Sequence, residues 1–207
     1  TINNNADNRV ITGSGTANTL NGESNVIIDS SGRLLLGTTT EGHTSGDDLT
    51  IATTGGATGI TLRSDTDEGG RIFFSDGTSG ADEYRGVVGY SHDTNHMYFS
   101  TDATERLRID SSGRVMIGTT STSGISSNGD DLIIGSIGDS TDRGITLATT
   151  TSGSIRWADA GDNAMGRIQY LNNSDVMTFH TSNATRLRLD SDGMKFGSDS
   201  AAANALD

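Results

Sequence analysis

The 207-residue chain contains no cysteine and no proline. Without Cys it can build neither a disulfide framework nor a thiolate metal site. That absence does not place it inside a cell, because long β-structure outside cells can do without disulfides. Aromatic residues make up only 5%. The longest apolar runs are three or four residues, far short of the roughly 20 that span a bilayer. Positive charge is scarce: 14 Lys and Arg stand against 27 Asp and Glu, a net charge of −13. Such a balance argues against nucleic acid as a partner, since phosphate binding needs clustered cations. It also disfavours an anionic membrane surface. No segment carries a sustained helical stripe, and no signal-peptide pattern is present. Nucleophile elbow, phosphate loop and dinucleotide fingerprint are all missing. Gly13 and Gly15 do not complete a G-x-G-x-x-G, and no helix pattern follows them.

What the chain does have is 28 Gly and large side chains in small groups, separated by Gly, Ser, Thr, Asp and Asn. One copy has little with which to close a thick core. It is expected either to stack into a solenoid or to share a core with other chains.

The organising stretch is LRIDSSGRVMIGTT, residues 107–120. It occurs earlier as IIDSSGRLLLGTT and later, shortened, as LRLDSDGMKFG. Its turn glycines are Gly32, Gly113 and Gly193, 81 and 80 residues apart. Asp29, Asp110 and Asp190 open the turns. An Asx turn from the Asp and a Gly in the left-handed region make a common hairpin connection. In the first copy this pairing puts Val26 opposite Leu36 and Ile28 opposite Leu34. In the second, Leu107 faces Ile117 and Ile109 faces Val115. Each set of four shares one apolar face, because side chains alternate along a strand. Arg106, Arg108, Arg114 and Met116 take the other face. In the third copy a two-residue turn at Ser191 and Asp192 pairs Leu189 with Met194 and Leu187 with Phe196. A turn at Asp192-Gly193 is a competing register.

The likeness extends further. GDDLTIA at 46–52 matches GDDLIIG at 129–135, and GYSHDTNHMYFST at 89–101 matches QYLNNSDVMTFHT at 169–181 without a gap. The expected organisation is a connector over 1–24, a first β-repeat over 25–106, a second over 107–186, and a partial third repeat with a stub over 187–207. Strands spaced by turn residues define an all-β chain. They are predicted at 9–12, 26–29, 33–36, 49–53, 59–63, 71–75, 86–91 and 97–101, and in the second repeat at 107–110, 114–117, 132–135, 144–148, 154–158, 166–171 and 177–181. Only the tail at 201–206 has helix-forming composition.

Candidate chemistry is weak throughout. Asp47-Asp48 and Asp130-Asp131 are paired carboxylates, but neighbours on a strand point to opposite faces, whereas glycosidase carboxylates must converge. They read as turns entering strands. Asp65, Asp67 and Glu68, and Asp190 with Asp192, lack full calcium-loop spacing. His92 and His96 have the i, i+4 spacing of a helical zinc site, but lie on a strand–turn–strand pattern with no third ligand. Arg106, Arg108, Arg186 and Arg188 form a basic stripe, read as pairing with nearby acids. Binding of anionic glycans is the alternative. Tyr84, Tyr90, Tyr98, Trp157 and Tyr170 could stack on sugars. Tyr90 and Tyr170 hold equivalent places, and Trp157 aligns near Phe74, which favours packing. No catalytic residue, metal ligand or cofactor is expected, and no receptor-binding residue stands out.

NNNADNRVITGSGTANTLNGESN, then RLRIDSSGRVMIGTTS, then SAAANALD, resembles the repetitive shafts of tailed-phage tail fibres, most of all those of cyanobacterial and marine phages. The resemblance covers most of the chain. It implies an elongated homotrimeric β-fibre, an intertwined β-prism or triple β-helix-like module, located in the virion. Implied partners are two further copies, other tail or baseplate proteins, and a host surface glycan or protein. The expected role is structural and adhesive, without enzymatic activity, and in a piece of a longer protein whose shaft hands over to another domain beyond the third hairpin. A tailspike-like polysaccharide depolymerase and a bacterial trimeric surface adhesin are the competing readings.

Overall fold

The computed structural model describes residues 2–3, 9–17, 19–140, 142–161 and 165–197. The described residues are all-β, with no α-helix among them and one 3-10 turn at Gly80–Tyr84. The candidate helix at 201–206 lies outside them. The chain divides into two compact units, Thr1–Arg114 and Val115–Asp207.

The first unit opens with β1 (Ile2–Asn3), β2 (Arg9–Gly13) and β3 (Leu20–Ile28). β3 is longer than its hydrophobic pattern suggests and runs across the expected start of the first repeat at residue 25. Its N-terminal half pairs parallel with β1 and antiparallel with β2. These partners recruit the polar LNGES segment into the strand, where propensity alone would leave a loop. β4 (Leu34–Leu36) closes the first hairpin, with Val26 opposite Leu36 and Ile28 opposite Leu34. β5 (Leu49–Ile51) then adds parallel to β4. The intervening 37–48 segment supplies the long crossover that a parallel pair requires.

β6 (Gly69–Phe74), β7 (Gly86–Ser91), β8 (His96–Thr101) and β9 (Thr104–Ile109) follow as an antiparallel series. In the second unit β10 (Val115–Ile117) and β11 (Leu132–Ile134) pair parallel. β12 (Ser152–Trp157), β13 (Gly166–Leu171), β14 (Val176–Thr181), β15 (Ala184–Asp190) and β16 (Gly193–Phe196) form a second antiparallel series. Gly86 pairs with Thr101, and Gly166 with Thr181. Met97 pairs with Ile109, and Met177 with Leu189. A register shift falls between Phe99 and Ser100 in one series and between Phe179 and His180 in the other. Each of these partners stands 80 residues from its counterpart. The predicted strands at 59–63 and 144–148 do not form. These GITL segments are irregular, and the Leu62 and Leu147 side chains rest on Gly70 and Gly153 rather than entering a ladder.

The turns carry the geometry their sequence dictates. Asp29 Oδ1 accepts from the Ser31 and Arg33 amides at 2.9 and 3.0 Å. Asp110 Oδ1 does the same for Ser112 and Arg114, also at 2.9 and 3.0 Å. Gly32 and Gly113 take φ of 83° and 84°, a region costing a non-Gly residue about 1–2 kcal/mol. The third turn is the two-residue one, with Asp190 opposite Gly193 and Leu189 opposite Met194.

Buried apolar side chains are few. Among the described residues they are Leu35, Val87, Met116, Ile133 and Val176. Leu35 and Met116 lie on the hairpin face that alternation shares with Arg33 and Arg114, not on the face predicted to be the core. Within the second unit Met116 pairs with Ile133, and both are buried.

Candidate interaction surface

Cross-strand pairing puts directly opposed residues on one face of a sheet. In the first unit Ile72, Val88, Phe99 and Leu107 form one such row, and Gly70, Tyr90, Met97 and Ile109 form the next. In the second unit Ile155, Ile168, Phe179, Leu187 and Phe196 line up, beside Gly153, Tyr170, Met177, Leu189 and Met194. Neither face contains a charged residue in these rows. Both are open: Ile72 is 50% exposed, Ile155 54% and Phe196 62%. Contiguous exposed apolar rows of this kind make these faces the candidate interaction surface.

Of the residues predicted for the apolar hairpin face, Leu107, Ile109, Leu187 and Leu189 lie in these rows, whereas Val26, Ile28, Leu34 and Leu36 belong to the β3–β4 hairpin and Val115 and Ile117 to β10. Ile28, Ile109 and Ile117 are exposed, while Val26, Leu34, Leu36, Leu107, Val115, Leu187 and Leu189 are half-buried. Phe74 and Trp157 belong here too, at 60% and 55% exposure. Trp157, expected to pack in a core or half-buried place, is instead exposed, with its ring against Gly166 across the strand. Ile60 and Leu62 stand over the first sheet and, with Ile72, Tyr90, His92 and Met97, line an open groove of about 290 Å³. Tyr90 and Tyr170 are bound at their hydroxyls by Asn95 and Asp175, at 3.2 and 3.0 Å.

The opposite faces carry more polar side chains, several bonded to one another, although Phe73 and Val87 also lie there. Tyr98 Oη accepts from Arg71 Nε at 2.8 Å, and Arg108 Nε donates to Glu105 at 2.6 Å. Burial, then the charge of Arg108, holds the His96 imidazole below its ordinary pKa. Its Nδ1 lies 2.6 Å from Thr94 Oγ1. His92 instead meets the Tyr90 ring edge-on, and among the described residues no cluster of three metal-binding side chains exists.

The predicted basic stripe is broken up. Register shifts in β9 and β15 take Arg106 and Arg186 out of the ladder, and these donate to Thr101 and Thr181 hydroxyls. Arg108 and Arg188 are engaged by Glu105 and Asp190. The acidic pairs sit where turns enter β5 and β11. Asp47 lies 2.8 Å from Arg33, while the Asp48 and Asp131 carbonyls accept the Leu34 and Val115 amides. Asp65 caps its own turn through the Thr66 amide. Asp190 and Asp192 both bind Lys195.

Sequence reasoning missed the polar cluster around Lys195 and the open polarity of the sheets. The available indication was the third hairpin's Lys at the place where Leu35 and Met116 stand in the others. No protein-family model, curated protein or solved structure matches the chain.

Proposed function

We propose that this chain is a segment of a homotrimeric β-fibre, the shaft of a phage tail fibre that spaces or presents host-receptor binding. The observation that carries the reading is the pair of uncharged, open sheet faces. Among the described residues Leu62 and Leu147 cover only the Gly70 and Gly153 ends of these rows, and copies of the chain offer matching faces for the rest. Two further copies would supply the core that one chain lacks and close strand edges that otherwise invite aggregation. The equal spacing of strand registers in the two units supports tandem repeats of about 80 residues. The acidic surplus keeps a long rod soluble. The assignment to a phage particle rests on the sequence resemblance.

A structural role also fits the hairpin carboxylates Asp29, Asp110 and Asp190, whose partners are cations and turn amides. Sedimentation equilibrium with velocity tests the reading. A species of three times 21.5 kDa with high frictional ratio is expected, and a compact monomer would refute it. Reducing-end release from host capsular or lipopolysaccharide glycans would replace it with a depolymerase.

A further inference from the structure

The two antiparallel series keep their apolar faces alike but diverge on the opposite faces, and one of the divergent rows sets two arginines side by side. In the first unit this row is Phe73, Val87, Ser100 and Glu105. In the second, the residues in the same register are Arg156, Arg167, His180 and Thr185. The sheet therefore forms without cations at these places. Putting Arg156 directly opposite Arg167 sets like charges together, which destabilises a sheet. Among the described residues no carboxylate forms an ion pair with either guanidinium, in a chain carrying 27 Asp and Glu.

The local bonding leaves this row incomplete. Arg156 Nε donates to Ser154 Oγ at 3.1 Å. Arg167 Nη2 lies 3.1 and 3.2 Å from the two ring nitrogens of His180. Burial and the Arg167 charge hold that imidazole below its ordinary pKa, so it is neutral and adds no charge at neutral pH. Arg167 Nε is buried and has no hydrogen-bond partner. A buried donor left unpaired is costly and rare.

We propose that Arg156 and Arg167 form a binding site for an anionic group of a polysaccharide, a sulfate or a carboxylate. Guanidinium groups present forked donors that match either oxyanion. Adjacent strands lie about 4.8 Å apart, so the two side chains flank a single anionic substituent. Ser154 and Gln169, opposed in the neighbouring row and half-buried, offer neutral hydrogen-bonding groups to sugar hydroxyls. A sparsely charged glycan suits this arrangement better than nucleic acid, whose dense phosphates meet a chain of net charge −13. The site stands on the residues of one unit and does not require the fibre reading.

The test is titration of the intact protein, at low salt and at about 0.15 M, with dextran sulfate and polygalacturonate. Neutral dextran and a single-stranded oligonucleotide serve as comparisons. The key variant is Arg156→Phe with Arg167→Val, which installs the pair found in the same register of the first unit; Arg167→Gln is the milder change. A thermal melt confirms that each is folded. At least one polyanion is expected to bind with salt-sensitive affinity, weakened about tenfold or more in the double variant, while neutral dextran stays unbound. Which polyanion binds assigns sulfate or carboxylate. Binding of neither, unchanged binding by the folded double variant, equal binding of neutral dextran, or tighter binding of the oligonucleotide would each overturn the proposal.

Discussion

Lys195 Nζ, closed to solvent, lies 2.8 Å from Asp190 Oδ1 across the turn of the last hairpin. It also donates to Asp192 Oδ2 at 3.0 Å, and Arg188 Nε reaches Asp190 Oδ2 at 2.6 Å. Leu35 and Met116 fill the corresponding place in the first two hairpins and are equally buried. A buried charge removed from its partners leaves them uncompensated, whereas an apolar side chain of similar volume restores packing. Lys195→Ala is expected to lower the melting temperature by roughly 5 °C or more. Lys195→Met, which imports the solution used at Met116, should cost clearly less. Thermal melts followed by circular dichroism read both, and equal losses would show that charge rather than packing governs the position.

The same carboxylate sets an acid limit. Hydrogen bonds from Lys195, then Arg188, hold the Asp190 carboxyl well below the usual carboxylate range. The Arg33 side chain and amide do the same for Asp29. At Asp110, burial pushes upward, but hydrogen bonds from the Arg114 side chain and amide outweigh it and the net shift is downward. With folded values below unfolded ones, the unfolded chain binds protons first as pH falls. The stabilisation is complete above the unfolded carboxylate pKa of about 4 and is lost below it. His96 and His180 are also lowered, so they add a gentler loss beginning below about pH 6.5. Urea midpoints from pH 7 to 2 should fall in these two steps. Asp190→Asn should flatten the lower step and leave the upper one in place.

Much of the ladder was legible because its strands are short, alternating and bounded by turn residues. The 86–91 and 166–171 strands were placed to the residue, and the Asp-to-Gly turns follow from what only those side chains do locally. The GITL segments defeat the strand reading because Ile60, Leu62, Ile145 and Leu147 alternate like strand residues, while Leu62 and Leu147 lie over Gly70 and Gly153 instead of pairing. Alternation reports which residues share a face, not whether a ladder partner exists. The orientation of the sheets was also hidden. An apolar face is normally taken as the inside, yet here Met116 and Lys195 are buried on the polar side while Phe99 and Phe196 remain exposed.

Gly89 tests how closely that polar side is packed. A Cβ built there would sit 2.5 Å from the Tyr98 ring, whose hydroxyl accepts from Arg71. Gly89→Ala must displace the ring and break that bond. Overpacking of this kind costs about 1–3 kcal/mol, measurable as a lower urea midpoint. Gly46 provides the comparison, since its Cβ would meet nothing within 4 Å and its φ is not in the left-handed region. Gly46→Ala should leave the midpoint almost unchanged. Equal effects would mean that the Tyr98 ring yields freely.

Phe99 and Phe179 offer the sharpest test of the open faces. Each lies in the middle of an uncharged row, and each pairs with a Leu, Leu107 or Leu187. If copies of the chain cover these rows, Asp at either position places an unpaired carboxylate inside an apolar contact in every copy at once. Burial of a large apolar side chain is worth roughly 1.5–3 kcal/mol, and an assembly loses that amount once per copy. Phe99→Asp and Phe179→Asp are therefore expected to shift sedimentation equilibrium from the trimer towards 21.5 kDa. Arg106→Asp is the control, because its side chain leaves the ladder at the register shift and is exposed; it should stay assembled. Dissociation of all three variants would point to general charge repulsion in an already acidic chain. Persistence of all three as trimers would place the contact between copies elsewhere.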